Sequence, residues 1–247
     1  MGSQIFEPIS NSPTKNLEQF IYFCRYRLDA FGADCWENNQ WRTKFNIHSV
    51  QVRFSTDRFP SNSYKYEPLS SPFIEFAKAY IRYTYSLRPI RQFARHMEAL
   101  RFVEMALHNV KKKADILYLD SLVIQEVQNL VAKKYPKMNE STNKLGYQLE
   151  TLFNFCIEYQ IVLKPPIWTN PYSRPRDLTI LLDKRGKDYR SKKMPSDEEM
   201  LLTAKLFHDA PNLDKETEYY TAVMALLMVA PSRCSELMSL SVNCLEW

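Results

Sequence analysis

Ser71-Pro72-Phe73-Ile74-Glu75-Phe76-Ala77-Lys78-Ala79-Tyr80-Ile81 carries apolar side chains at Phe73, Phe76, Ala77, Tyr80 and Ile81. Spacing of i, i+3, i+4, i+7 and i+8 gathers them into one stripe of an α-helix. Proline suits a first helical position, where its missing N–H costs nothing. Pro89 then ends or sharply turns the helix. The pattern recurs downstream. Phe93, Met97, Leu100 and Leu107 mark a second helix that fades near Asn109 and Lys111-Lys112-Lys113. A third starts at Asp120-Ser121 and carries Val123, Val127, Leu130 and Val131 until Tyr135-Pro136. The fourth opens near Ser141-Thr142, carries Leu145, Leu149, Leu152, Phe153 and Cys156, and is closed by Lys164-Pro165-Pro166. Four amphipathic helices with short joints over residues 70–163 predict a compact bundle and a mainly α fold.

Beyond it, residues 164–193 show no sustained period and read as a linker, rich in proline and basic side chains. Ser196-Asp197-Glu198-Glu199 is a capping box, opening a helix with Met200, Ala204 and Phe207 on its apolar side. A second helix spans roughly Lys215 to Val229, apolar nearly all round at its end and so expected to be buried. Pro231 stops it, and Arg233 to Leu240 resumes as a short helix. A further domain is therefore expected over 194–247. Residues 1–69 are less legible: Leu17 to Leu28 suggests a helix and Phe45 to Phe54 a strand, giving an α+β segment of unassigned role.

With 247 residues the chain can bury one large core or two modest ones. Only 4 glycines argue against Gly-rich phosphate loops. The longest apolar run, Ala222 to Ala230, falls well below the roughly 18 residues that span a bilayer. Met1-Gly2-Ser3 has Phe6 where a myristoylation signal needs Ser or Thr. No export signal is visible, so a cytoplasmic protein without membrane contact is expected. Cys24, Cys35, Cys156, Cys234 and Cys244 include no Cys-x-x-Cys, and reduced thiols with no metal site and no cofactor are the expectation.

Charge is uneven. Basic and acidic side chains number 8 and 7 in residues 1–69, 13 and 9 in 70–163, 9 and 3 in 164–193, and 3 and 9 in 194–247. Positive charge thus concentrates in the linker, where Arg174, Arg176, Lys192 and Lys193 suit phosphate contacts that position a protein on DNA without reading sequence. Arg88, Arg91 and Arg95, spaced by three and four, are expected on one face of the second helix. Asn143, Lys144 and Tyr147 stand off the apolar stripe of the fourth helix and are further candidates for groove or backbone contacts. Lys111-Lys112-Lys113 reads as a solvated loop.

In Ala222 to Leu240 an apolar helix breaks at Ala230-Pro231-Ser232, and Arg233-Cys234-Ser235-Glu236-Leu237 opens a new one. An arginine there presents a fork of donors suited to two-pronged phosphate recognition, and Glu236, one turn on, can hold it. This stretch resembles the tyrosine recombinase, or phage integrase, family, whose first catalytic arginine lies in Thr-Gly-x-Arg-x-x-Glu-Leu. Arg233, Glu236 and Leu237 match, while Ala230 and Pro231 replace Thr and Gly. Asn170-Pro171 and the Lys193-Met194-Pro195-Ser196-Asp197-Glu198-Glu199 entry resemble family features in the expected order, so the likeness covers roughly residues 70–247.

The resemblance implies a four-helix, SAM-like core-binding domain over 70–163, followed by the first helices of a mostly helical catalytic domain. It also implies site-specific DNA recombination or integration on double-stranded DNA, self-association into a tetrameric synapse, and no cofactor. Arg233 would neutralise charge on a phosphate attacked by a tyrosine, leaving a 3′-phosphotyrosyl link. The family's lysine, His-x-x-Arg and tyrosine lie further on than Trp247, so this stretch is expected to bind DNA without cutting it. Alternatives from other classes are a non-catalytic DNA-binding protein, such as a decayed integrase, and a helical interaction module.

Overall fold

The computed structural model of the protein describes residues 5–46, 48–56, 67–137, 139–163, 167–174, 180–209, 214–229, 236 and 239. Among them are eight α-helices and one two-stranded antiparallel sheet. The chain forms two compact units, Met1–Pro175 and Arg176–Trp247.

In the first unit, α1 (Pro13–Tyr26) leads through a short 3₁₀ turn at Ala33–Cys35 to a hairpin of β1 (Gln40–Phe45) and β2 (His48–Arg53). The register pairs Trp41 with Val52, Thr43 with Val50 and Phe45 with His48. Trp41, Val50 and Val52 turn inward and are buried, as the period of two requires. Asn46 takes the left-handed conformation at φ 55°, which asparagine tolerates better than most residues. The stretch from Phe45 to Phe54, expected as one strand, instead contains this turn. Its apolar positions switch from odd (Phe45) to even (Val50, Val52, Phe54), and the switch is the hairpin.

Four helices follow: α2 (Phe73–Leu87), α3 (Ala94–Lys111), α4 (Ser121–Lys134) and α5 (Glu140–Glu158). All four lie where the apolar periodicity places them. Asp120 caps α4 by accepting from Val123 N–H at 3.0 Å, and Asn139 caps α5 by accepting from Thr142 N–H at 2.9 Å. Lys112, left-handed at φ 59°, closes α3. α3 packs on α4 and α5, and α1 packs on α2.

One aromatic cluster joins the N-terminal segment to the bundle. Phe20 of α1 meets Tyr83 of α2 and Phe155 of α5 edge-on or tilted, at centroid separations of 5.5 and 5.2 Å. The Tyr83 and Tyr159 hydroxyls lie 2.9 Å apart, and Phe6 N–H donates to the former at 3.2 Å. Residues 5–56 therefore complete the core that α2, α3 and α5 begin.

The second unit holds α6 (Lys184–Ser191), α7 (Asp197–Asp209) and α8 (Lys215–Val229). α6 falls in the stretch read as having no period. It is set by local capping instead: Asp183 accepts from Gly186 N–H at 2.9 Å, and Arg190 reaches back to the Leu181 carbonyl at 2.7 Å. The capping box of α7 forms with both arms, Ser196 N–H donating to Glu199 Oε2 at 2.7 Å and Glu199 N–H to Ser196 Oγ at 3.2 Å.

Burial of α8 differs from expectation. Met224, Leu226 and Met228 are 52%, 49% and 39% exposed. A helix apolar all round needs neighbours on every side, whereas the helix packed on α8 among the described residues is α7. The short helix expected at Arg233 to Leu240 lies outside the described residues, apart from Glu236 and Ser239.

Candidate nucleic-acid interface

A nucleic-acid surface needs cations that project into solvent and are not already neutralised. Net charge overstates their number here. Lys78 and Arg82, counted in the basic balance of 70–163, are 4% and 0% exposed. Lys78 Nζ donates to the Trp36 carbonyl at 2.7 Å, and burial, outweighing the pull of Glu75, draws its pKa down. Arg82 donates to the Cys24, Arg25 and Gly32 carbonyls at 3.2, 3.1 and 2.7 Å. Both are structural cations.

Arg88, Arg91 and Arg95 do not share a helix face. Arg88 is the extended C-cap of α2, Arg91 lies in the connection, and α3 begins only at Ala94. Pro89 breaks the helical path between them, so spacing of three and four has no geometric meaning there. Arg88 and Arg91 are exposed. Arg95 is half-buried, and its Nη1 donates to Glu98 at 2.5 Å. Lys134 and Tyr135 also donate to that carboxylate, Lys134 at 3.0 Å.

On α5, Lys144 and Tyr147 are exposed, with Lys144 paired to Glu140 at 2.8 Å. Asn143 is not available to a groove. It is 5% exposed, and its Nδ2 donates to the Tyr172 carbonyl at 2.6 Å. Asn170 answers from the other side, donating to the Asn143 carbonyl at 3.0 Å and accepting from Tyr172 N–H at 3.0 Å. The Asn170-Pro171 segment is thereby clamped to α5. Position 146 admits this because it is glycine: a Cβ there would lie 2.0 Å from Asn170 Oδ1. In the Lys111-Lys112-Lys113 turn, Lys111 pairs with Asp120 and Lys113 with Asp115. That turn is a solvated, internally paired loop.

Arg174 is exposed, as are Lys184, Lys187, Lys192 and Lys193 in and beside α6. None of these five makes an ion pair with a described residue, while Arg185 lies 3.7 Å from Asp183. Lys193 Nζ sits 4.2 Å from the centre of the Tyr189 ring, a cation–π contact that leaves its charge unneutralised. Arg176 and Arg233 lie outside the described residues.

No family model, curated protein or solved structure matches the chain.

The hairpin is the element whose surface chemistry sequence reading missed. Gln40, Arg42 and Lys44 of β1 lie opposite Arg53, Gln51 and Ser49 of β2, on the face turned away from Trp41, Val50 and Val52. The signal was present as Gln-x-Arg-x-Lys and Ser-x-Gln-x-Arg, at period two. It becomes readable only once both strands and their register are known. Cys24 and Cys156 are buried free thiols, and burial raises the pKa of each. Among the described residues no group of three or more His, Cys, Asp or Glu could hold a metal ion, and no helix is long and apolar enough to cross a membrane.

Proposed function

We propose that the chain is the DNA-binding part of a tyrosine recombinase of the phage-integrase type, with a SAM-like core-binding bundle over 70–163. The observation that carries this reading is the row of exposed cations in and beside α6, Lys184, Lys187, Lys192 and Lys193, none of which makes an ion pair with a described residue. A duplex backbone supplies what such a row lacks, a matching line of phosphates, and releases counterions when it is engaged. Arg88 and Arg91 add two more exposed cations, and the Arg233-to-Leu237 motif supplies the family's first catalytic arginine. In the recombinase that provides the tyrosine, Arg233 meets the scissile phosphate and Glu236 orients it. Cleavage then proceeds through a 3′-phosphotyrosyl link, within a tetrameric synapse and with no cofactor.

The test is fluorescence anisotropy of a labelled duplex against salt. With six phosphate contacts, affinity falls by about three decades between roughly 50 and 200 mM salt. Lys192→Gln/Lys193→Gln weakens binding on every duplex sequence alike and flattens that salt dependence. Absence of duplex binding at the lowest salt rules the reading out. In the protein that carries the tyrosine, Arg233→Ala raises the cleavage barrier by about 2.7–4 kcal/mol, as loss of a preorganised anion donor does.

A second reading, a helical interaction module, draws on the second unit. Met200, Leu201, Phe207 and Met228 line an open apolar groove of 650 Å³ between α7 and α8. Under that reading the chain ignores duplex DNA and self-associates or binds protein, which light scattering at rising concentration detects.

A further inference from the structure

We infer that the β1–β2 hairpin is a ribbon that enters the major groove of duplex DNA and reads base edges with Arg42, Lys44, Ser49 and Gln51. The inference rests on the DNA-binding reading for its partner, but on residues outside the α6 row. Residues 40–53 include no acidic side chain. Trp41, Val50 and Val52 are buried, so alternation turns Arg42 and Lys44 of β1, with Ser49 and Gln51 of β2, to the opposite face. All four are exposed. Neither Arg42 nor Lys44 makes an ion pair with a described residue. The face therefore carries two free cations and no carboxylate, which complements the negative potential of a duplex groove.

Its donors also suit base edges better than phosphates alone. Arginine meets guanine O6 and N7 with two bonds, and glutamine meets adenine N6 and N7. The register sets Arg42 directly opposite Gln51 and Lys44 opposite Ser49. Side chains paired in this way stand about 5 Å apart across the ribbon. Neighbours on one strand stand about 7 Å apart, close to two steps of a duplex that repeats every roughly 3.4 Å. A two-stranded ribbon fits a major groove about 12 Å wide, whereas the narrow major groove of A-form RNA excludes it. The ribbon is also held from behind. The Trp41 ring packs on Phe54 and Phe31 at 4.7 and 5.4 Å, and Tyr85 Oη donates to the Lys44 carbonyl at 3.4 Å. Phe54 N–H donates to the Asn39 carbonyl at 2.9 Å. Strands fixed in this way present their outer side chains with little ordering left to do on binding.

Base readout separates this surface from the α6 row, whose phosphate contacts carry no sequence information. The full chain is used to select from a randomised duplex library, beside Arg42→Thr and Gln51→Thr. Threonine keeps the strand preference and removes the two-pronged donor, so each variant retains the wild-type melting temperature. The wild type enriches a motif. Arg42→Thr loses a guanine preference within it and Gln51→Thr an adenine preference beside that guanine, each worth about 5- to 150-fold between matched and substituted pairs. Methylation of that guanine at N7, which faces the major groove, weakens the wild type and costs Arg42→Thr nothing further.

Duplex binding that enriches no motif, or a motif that both variants enrich unchanged, overturns the groove assignment and leaves the DNA reading standing. So does an A-form RNA duplex bound as tightly as DNA and weakened equally by both variants. No duplex binding at the lowest salt removes both.

Discussion

Arg82 Nη2 donates to the Gly32 carbonyl at 2.7 Å from a guanidinium with no exposed surface. The same group sits between the Trp36 and Trp41 rings, 5.2 and 5.1 Å from their centres. Its Nη1 meets the Cys24 and Arg25 carbonyls at the end of α1, where a helix leaves carbonyls without internal partners and presents its negative pole. One side chain of α2 therefore terminates α1 and positions the loop leading to the hairpin.

Replacing Arg82 with Met keeps the length and removes the donors, stranding several buried carbonyls. The expected loss is about 3 kcal/mol or more in urea unfolding. Arg82→Lys recovers little of it, because a single ammonium cannot reach acceptors arranged around a planar fork. A loss below about 1 kcal/mol for Arg82→Met, within the range of a single ordinary hydrogen bond, would contradict this role.

Acid sensitivity should come in two stages. His96 Nδ1 is buried with no hydrogen-bond partner among the described residues, and desolvation lowers the imidazole pKa to about 4. The unfolded chain takes up this proton near about 6.5. Stability is therefore whole above that pH and declines as pH falls from there to about 4. For Glu98, burial raises the pKa, but the Tyr135 hydroxyl, Lys134 and Arg95 outweigh it and hold the carboxyl below its ordinary range. Its contribution is complete above the unfolded value of about 4.3 and disappears as pH falls through the lower folded one. Asp120 is also held low, by Lys111 and Val123 N–H against burial, and adds to the lower stage. Difference curves are thus the measurement. In urea midpoints against pH, His96→Phe flattens the upper stage and Glu98→Gln the lower. An unchanged upper slope in His96→Phe would remove the first assignment.

Gly146→Ala tests the clamp on α5. The new methyl group meets Asn170 Oδ1 at 2.0 Å, so the Asn170 side chain must leave, taking its bonds to Asn143 and Tyr172 with it. The expected cost is about 1–3 kcal/mol. Trp168, 7% exposed and edge-on to Phe153 at 5.5 Å, reports the change as red-shifted fluorescence. Asn170→Ala has the same effect, and the double variant is less harmful than the sum because both break one contact set. Wild-type stability and emission in Gly146→Ala would show that 167–174 stays docked by other means.

Legibility followed the range of the interactions. The four bundle helices and the α7 capping box were readable because apolar period and caps are local properties of ten to twenty residues. α6 escaped because its signal is a single Asp183 cap and a buried Gly186 in a polar stretch, with no apolar stripe. The hairpin was read as one strand because Asn46 is a weak turn marker, and a change of parity is visible only if a turn is already suspected. Side-chain roles were the least legible. Arg82 and Lys78 carry the same charges as Arg91, and nothing within the helix period distinguishes a cation that ends on a carbonyl 50 residues away, as Arg82 does at Gly32, from one in water. Asn143 looked free because it stands off the leucine stripe. Its partner, Tyr172, comes from a segment that returns 29 residues later.

Arg95 and Arg88 provide the sharpest contrast between a cation that holds the fold and one that the fold leaves exposed. Arg95 gives its guanidinium to Glu98, a carboxylate side chain only 2% exposed. Arg95→Gln removes one donor from that carboxylate, so unfolding in urea becomes easier by about 1–3 kcal/mol. Duplex affinity below the melting range stays at the wild-type value, since the lost charge was already neutralised. Arg88 ends α2 exposed and makes no ion pair with a described residue. Arg88→Gln therefore leaves the unfolding curve in place and, on the proposed DNA-binding function, weakens duplex binding, with a salt slope shallower by about one. Measuring urea midpoints and anisotropy on both variants separates the two effects. A crossed result, with Arg95→Gln losing affinity at full stability, would place the DNA-facing charge on α3 and away from Arg88.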